Sequence, residues 1–111
     1  MRRGDIITVA ISGDYGKPRP AVVVQTNAMN EKHDSVIVCM MTSYDALLVD
    51  FRLALQPTPT NGLRLPSYIM VDKPVTVRRD RAGRVIGKLE ADEVRMLDSI
   101  LSFVLGFSDN R

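Results

Sequence analysis

Apolar and β-branched residues occur in short runs, separated by turn-forming residues, along the first nine-tenths of the chain. The runs predict strands at residues 5–11, 21–26, 36–42, 48–55, 67–72, 75–78 and 84–86. Gly, Pro, Asn and Ser are frequent in the segments between them, most clearly at residues 12–18, 27–35 and 57–62. Many short strands at this spacing indicate a small antiparallel barrel or curled sheet rather than parallel βαβ units.

The hydrophobic period changes near the C-terminus, where residues 91–105 predict one amphipathic helix. Its apolar stripe consists of Val94, Leu97, Ile100, Leu101 and Val104. Acidic residues crowd its first turn, and Gly106 stands where a helix often ends in a left-handed residue. The predicted fold is therefore mainly β, an antiparallel barrel closed by a C-terminal helix.

The length of 111 residues favours a single domain spanning residues 1–111. A chain this small covers its apolar surface poorly, so association with a second copy would help. No apolar stretch approaches the roughly 20 residues of a membrane span, and the N-terminus lacks the apolar region of a signal peptide. We expect a cytoplasmic protein. Cys39 is the only cysteine and lies in an apolar run, which favours a small core residue.

Charge is nearly balanced overall but unevenly distributed. The net charge is +2, from 15 basic and 13 acidic residues. Residues 73–88 contain six basic side chains and only one acidic one, whereas the following helix carries four acidic residues. A basic face beside an acidic helix suits a polyanion or an acidic partner, although a solvated hairpin would look the same.

Metal and nucleotide chemistry have no signature in the sequence. Carboxylates are scattered, no His or Cys pair has ligand spacing, and no Gly-rich phosphate loop is present. His33 is the only histidine, so one chain cannot supply a two-histidine ribonuclease mechanism. We expect neither a metal nor another cofactor.

An ordered set of segments resembles the MazF/PemK/Kid family of toxins. Arg-Gly-Asp-Ile at residues 3–6 opens the first strand, and Pro-Arg-Pro-Ala-Val-Val-Val-Gln follows at residues 18–25. The strand at residues 36–43 ends in Thr-Ser, and residues 71–76 carry Asp, Pro and Thr at family offsets. The segment 86–93 leads into the helix, which ends near Leu-Gly-Phe at residues 105–107. Each segment alone is weak evidence for the family, but together the segments cover nearly the whole chain in order.

The resemblance implies an SH3-like barrel that forms a homodimer, with single-stranded RNA bound in a groove between the copies. It implies a sequence-specific, metal-independent and ribosome-independent endoribonuclease, the toxin of a toxin–antitoxin system that inhibits translation and growth. The expected products have 2′,3′-cyclic phosphate and 5′-hydroxyl ends. The expected partner is an antitoxin whose flexible acidic tail occupies the RNA groove.

Arg19, Thr42 and Asp72 are the candidate catalytic residues. The guanidinium of Arg19 can bind two phosphate oxygens and stays charged at any working pH, and the family has a catalytic arginine here. A threonine at the strand end occupied by Thr42 is also an active-site residue of the family. An aspartate at the position of Asp72 accepts the proton in the Kid-like branch. The alternatives are a surface ion pair for either charged residue and a turn-capping hydroxyl for Thr42.

Further residues are predicted to contact RNA by position or charge. They are Lys17, Ser43, Phe51, Met70 and Lys73. Phe51 falls where the family has a base-stacking aromatic and is equally plausible as core. Ser43 matches a family position that touches the bases.

The chain departs from the Kid-like branch at the candidate general acid. Met70 replaces an arginine of that branch, Gly-Asp at residues 13–14 replaces a loop histidine, and Val75 replaces an arginine found in many relatives. Lys17 or Lys73 could substitute as proton donor.

Two other functions stay open at this point. A CcdB-like poison of DNA gyrase would share the architecture, but the Trp-Gly-Ile tail of that class is missing. A relative that binds RNA or antitoxin with weakened catalysis is compatible with Met70. A generic SH3-like binding module would not need Arg19, Thr42 and Asp72 together.

Overall fold

Six strands and two α-helices account for the regular structure in the computed structural model, which describes residues 1–10, 17–43, 51–107 and 109. In chain order they are β1 (Asp5–Val9), β2 (Arg19–Val23), α1 (Asn27–Asn30), β3 (Ser35–Thr42), β4 (Arg52–Leu55), β5 (Ser67–Arg78), β6 (Ala82–Lys88) and α2 (Ala91–Val104). A 3₁₀ turn at Arg79–Arg81 joins β5 to β6. The strands form one sheet in the order β4-β5-β3-β2-β1-β6, and every neighbouring pair is antiparallel.

The predicted closed barrel is wrong for the described chain, because the edge strands β4 and β6 do not pair. The segment between β4 and β5 lies against β6 instead. The amide of Lys88 donates a hydrogen bond to the carbonyl of Thr60, 3.0 Å away. A Cβ placed on Gly87 would lie 2.2 Å from the backbone carbonyl of Asn61, so the two segments are in direct backbone contact. The sheet therefore curls until a loop, rather than a strand ladder, bridges its two edges.

Alternation along the strands supplies an apolar layer on each face of the sheet. On β3, Cys39 and Met41 belong to one buried cluster, while Val36, Val38 and Met40 belong to the other. Because side chains alternate across a strand, this division follows directly from the uninterrupted apolar run in the sequence. Helix α2 covers the first face, where Leu97 and Leu101 are buried.

Helix α2 forms where the sequence predicted it, and its ends have the expected chemistry. The carboxylate of Glu93 accepts a hydrogen bond of 2.7 Å from the amide of Glu90 at the N-terminus. At the C-terminus Gly106 adopts a positive φ of 78°, which confirms the predicted left-handed residue. None of the helices in the described ranges is long and apolar enough to cross a membrane.

Strand β5 differs most from the prediction, because one strand replaces the two expected at residues 67–72 and 75–78. It runs from Ser67 to Arg78 through Pro74, which pairs with Cys39 of β3. Proline has no amide to donate to a ladder, and the pairing has a register shift between Cys39 and Met41, next to this position. The irregularity accommodates the proline without ending the strand.

Other boundaries differ by a few residues. Strand β2 begins and ends earlier than the predicted 21–26, and β6 extends further at both ends than 84–86. A single helical turn, α1, lies inside the turn predicted at 27–35. The predicted residues 11 and 48–50 lie outside the described residues.

Cys39 is fully buried, and the prediction that it is a core residue is confirmed. Burial raises the pKa of its thiol from the ordinary value of 9.0 to about 12, with a further contribution from the negative charge of Asp72 that Arg3 partly offsets. Because the thiolate is the reactive form, the folded protein should resist alkylation.

We therefore expect iodoacetamide at pH 8 to leave native Cys39 unmodified and to modify it rapidly in denaturant, as measured by mass spectrometry. Rapid modification of the native protein would contradict this description of the core.

The raised pKa of Cys39 also determines how the free energy of unfolding changes with pH. Between pH 9 and pH 12 the unfolded thiol loses its proton and the folded thiol keeps it, so stability falls as pH rises through this range.

Candidate functional site

Arg19, Thr42 and Ser43 meet at a groove of about 510 Å³ on one end of the sheet. Arg19 is the first residue of β2 and is exposed, while Thr42 is the last residue of β3 and is half-buried. Strands β2 and β3 are neighbours, so the end of one lies beside the beginning of the other. The predicted pair of guanidinium and hydroxyl is therefore brought together by the fold.

The backbone near Arg19 is constrained on both sides. Pro18 and Pro20 flank it and also line the groove. The two rings fix φ at these positions. Arg19 lies opposite Val9 of β1, whose side chain is fully buried. The arginine is thus carried on a strand with few backbone alternatives.

The other walls of the groove come from β1, from the β4–β5 segment and from β6. They comprise Thr8, Gly62, Leu63, Arg64, Leu65, Ser67, Arg84 and Ile86, with Met41 beside the β3 residues. Neither Arg64 nor Arg84 is among the site residues predicted from the sequence. The basic content of residues 73–88 drew attention to the hairpin containing Arg84, while nothing in the pattern singled out Arg64.

No acidic side chain is among the groove-lining residues in the described part of the chain. The groove instead carries three guanidinium groups, those of Arg19, Arg64 and Arg84. Such a surface attracts anions, and arginine in particular binds phosphate in a bidentate manner. The chemistry of the groove suits a phosphodiester chain.

Only part of the predicted basic face, at residues 73–88, lines this groove. Arg78 forms an ion pair of 2.8 Å with Asp80. Arg79 donates hydrogen bonds to the backbone carbonyls of His33 and Asn30. Of the six basic residues at positions 73–88, Arg84 is the one that lines the groove.

Asp72 does not line the groove within one chain. It lies on β5, half-buried, and its Oδ1 atom is buried with no hydrogen-bond partner among the described residues. Its charge acts on the thiol of Cys39. Arg52 of β4, which pairs with Met70 of β5, also has a buried Nε with no hydrogen-bond partner in the described part of the chain. Arg19 and Thr42 therefore line the groove without Asp72.

The remaining predicted RNA contacts are also outside this groove. Phe51 stacks on Phe103 of α2, with ring centroids 5.3 Å apart. Met70 is half-buried and packs against the apolar cluster on the second face of the sheet. Lys17 and Lys73 are exposed. Residues 13–14 lie outside the described residues.

Comparison with known proteins places these features in a family. The model of the family described as PemK-like, MazF-like toxin of type II toxin–antitoxin system matches residues 2–105. A probable endoribonuclease MazF from Mycolicibacterium smegmatis is 40% identical over 107 residues, which cover 94% of this chain and 96% of that protein. Endoribonuclease MazF9 from Mycobacterium tuberculosis is 30% identical, with 95% of this chain and 96% of that protein covered.

The fold is also shared with solved structures. A mycobacterial endoribonuclease in complex with its cognate antitoxin superposes with a TM-score of 0.79 at 20% identity, covering 96% of this chain and 95% of that one. Identity at this level supports the shared fold, while the sequence matches extend over nearly the whole chain. The chain therefore belongs to the PemK-like, MazF-like family of type II toxin–antitoxin toxins.

Proposed function

We propose that this chain is a toxin endoribonuclease that cleaves single-stranded RNA at the groove holding Arg19 and Thr42, without a metal ion. The observation that carries the proposal is that both residues line one groove together with two further arginines. No acidic residue is among the described residues that line this groove. Relatives that match nearly the whole chain are named endoribonucleases, which supports the same activity here.

The proposed reaction uses the RNA's own 2′-hydroxyl as nucleophile. Its oxygen forms a bond to the adjacent phosphorus, and the bond from phosphorus to the 5′-oxygen of the next nucleotide breaks. The products are a 2′,3′-cyclic phosphate and a 5′-hydroxyl. One proton leaves the 2′-oxygen and one is delivered to the departing 5′-oxygen, so the step needs no oxidant, reductant or added water.

Arg19 and Thr42 fit the electrostatic part of this reaction. The guanidinium of Arg19 binds the non-bridging phosphate oxygens, whose negative charge grows as the nucleophile attacks. The hydroxyl of Thr42 donates a hydrogen bond to the same phosphate. Ser43, next in the chain and also on the groove, contacts the adjoining base or sugar.

We assign Asp72 as the proton acceptor only in a homodimer, because its carboxylate is outside the groove of its own chain. The end of α2 and the residues that follow it support such a dimer. Phe103, Leu105 and Phe107 are 61%, 54% and 76% exposed, an unusual density of large apolar side chains on the surface. A second copy packed here would cover them and could contribute groups to a shared cleft.

The proposed regulator is an antitoxin with an acidic, flexible segment, and the proposed site of action is the cytoplasm. A structural relative was solved with its cognate antitoxin, which supports a partner of this type. Acidic side chains would complement the three arginines of the groove. Occupation of the groove by such a segment would exclude RNA.

The proposal predicts that the purified chain cleaves a mixed-sequence single-stranded RNA in the presence of EDTA. Because the reaction needs only fixed charges and proton transfers, chelation should not slow it. Mapping of the fragment ends should give cyclic phosphate at one side and 5′-hydroxyl at the other. Intact RNA together with inhibition of DNA gyrase would overturn the proposal in favour of a CcdB-like poison, and RNA binding without cleavage would indicate a catalytically weakened relative.

A further inference from the structure

The groove that holds Arg19 and Thr42 contains two further arginines that the proposed reaction does not use. Arg64 follows Gly62 in the β4–β5 segment, and Arg84 lies on β6; both are exposed and both line the groove with Arg19. One guanidinium is enough for the phosphate under attack. The other two are therefore available for different phosphate groups.

The sheet places Arg84 at a distance from Arg19. Strand β1 lies between β2 and β6, and Thr8 of β1 is paired with Pro20. Neighbouring strands are about 4.8 Å apart, so the backbones of β2 and β6 are separated by about 10 Å. A backbone separation of this size allows the two side chains to reach different phosphates of one strand.

The backbone of Arg84 is held firmly. Its amide donates a hydrogen bond of 3.2 Å to the hydroxyl of Thr8. The preceding Gly83 lies against the same hydroxyl, where a Cβ would approach Thr8 Oγ1 to 2.2 Å. The side chain of Arg84 thus projects from a fixed point on the edge strand.

The backbone just before Arg64 is also constrained, through the buried side chain of Asn61. The Oδ1 atom of Asn61 accepts hydrogen bonds of 3.0 Å from the amides of Thr58 and Leu63, and its Nδ2 donates to the carbonyl of Gln56. Asn61 is only 2% exposed.

Gly62, with φ of 69°, has its Cα so close to the carbonyl of Ile86 that no Cβ would fit. Both arginines are therefore presented from anchored backbone, which reduces the entropy lost when they bind a ligand.

We propose that Arg64 and Arg84 are positioning residues that bind the phosphates flanking the one being cleaved. The inference rests on the proposed function and describes its substrate more closely, as an oligonucleotide with phosphates beyond the one at the scissile bond. Contacts to flanking phosphates are the same in the ground state and the transition state. They should therefore lower KM without changing the rate of the chemical step.

The variants Arg64→Gln and Arg84→Gln test this, with Arg95→Gln on the exposed surface of α2 as the control of equal charge change. We expect each groove variant to raise KM for a mixed-sequence single-stranded RNA about tenfold, with kcat nearly the same. The control should keep both constants. Circular dichroism establishes that each variant is folded.

A binding measurement separates this inference from the proposed function. The probe is a mixed-sequence RNA with 2′-O-methyl sugars, which lacks the attacking hydroxyl, and its affinity is measured by fluorescence anisotropy at several NaCl concentrations. Each groove variant should reduce the salt-dependence slope by about 0.7, the value for one phosphate contact on a single strand. Variants that match Arg95→Gln while the unmodified chain binds RNA would overturn the inference alone, as would a loss confined to kcat. Absence of binding by the unmodified chain would overturn both.

Discussion

Replacement of Arg19 by alanine is expected to reduce RNA cleavage by about a hundredfold or more, the loss typical of removing one electrostatic contact to the transition state. Of the three arginines on the groove, Arg19 is the one on the strand next to β3, which ends at Thr42. Its side chain is exposed, and the adjoining residues of β2 keep their ladder with β1. The change should therefore remove activity while leaving the circular dichroism spectrum unchanged.

The measurement is single-turnover cleavage of the mixed single-stranded RNA at saturating enzyme. Arg19→Lys separates charge from geometry, since lysine keeps the charge and loses the planar fork that binds two oxygens. We expect partial activity from that variant. Arg95→Ala, on α2, is the matched control for loss of an exposed arginine. An Arg19→Ala protein that cleaves as fast as this control would exclude Arg19 from the reaction.

The strands and the long helix were predictable because they depend on local pattern. Residues 36–41 of β3 are all apolar, which predicts burial on both faces, and both faces of β3 are covered. The stripe of α2 and the glycine after it contain the information for where the helix lies and ends. These signals require no knowledge of the rest of the fold.

The continuity of β5 and the opening in the sheet were not predictable in this way. Pro74 normally argues against a strand interior, and only the shifted register beside Cys39 shows how it is tolerated. The gap between β4 and β6 depends on how far the sheet curls and on what lies between its edges. Both are properties of tertiary packing, which the pattern within a single run of residues does not predict.

The candidate site likewise contains residues that local sequence pattern predicts and residues that it does not. Arg19 and Thr42 belong to segments with a recognisable family pattern, and adjacent strands bring them to one groove. Arg64 sits in a segment of irregular structure where charge alone carries little information. Its place on the groove follows from the contact between Gly62 and β6, which only the folded backbone shows. Asp72 matched the pattern of the Kid-like branch, yet it lies outside the groove of its own chain.

The second large effect is expected from Gly87→Ala, which should destabilise the fold by about 3 kcal/mol or more, at the upper end of the range for overpacking. The new Cβ would lie 2.2 Å from the carbonyl carbon and oxygen of Asn61 and 2.6 Å from the carbonyl oxygen of Thr60. These are backbone atoms, and the hydrogen bonds of the Asn61 side chain prevent the segment from moving away cheaply. A loss of this size is a large part of the roughly 5–15 kcal/mol that stabilises a small domain.

Urea denaturation monitored by circular dichroism gives the loss, and Gly83→Ala on the same strand is the matched control. There the atom closest to the new Cβ, at 2.2 Å, is the side-chain hydroxyl oxygen of Thr8, which can rotate away. The control should therefore lose about 1 kcal/mol, close to one hydrogen bond. Equal midpoints for the two variants would contradict the description of the β4–β5 segment as a fixed bridge between the sheet edges. A much lower midpoint for Gly87→Ala would mean that the wall carrying Arg64 is held in place by backbone contact with β6, so that fold and groove depend on the same packing.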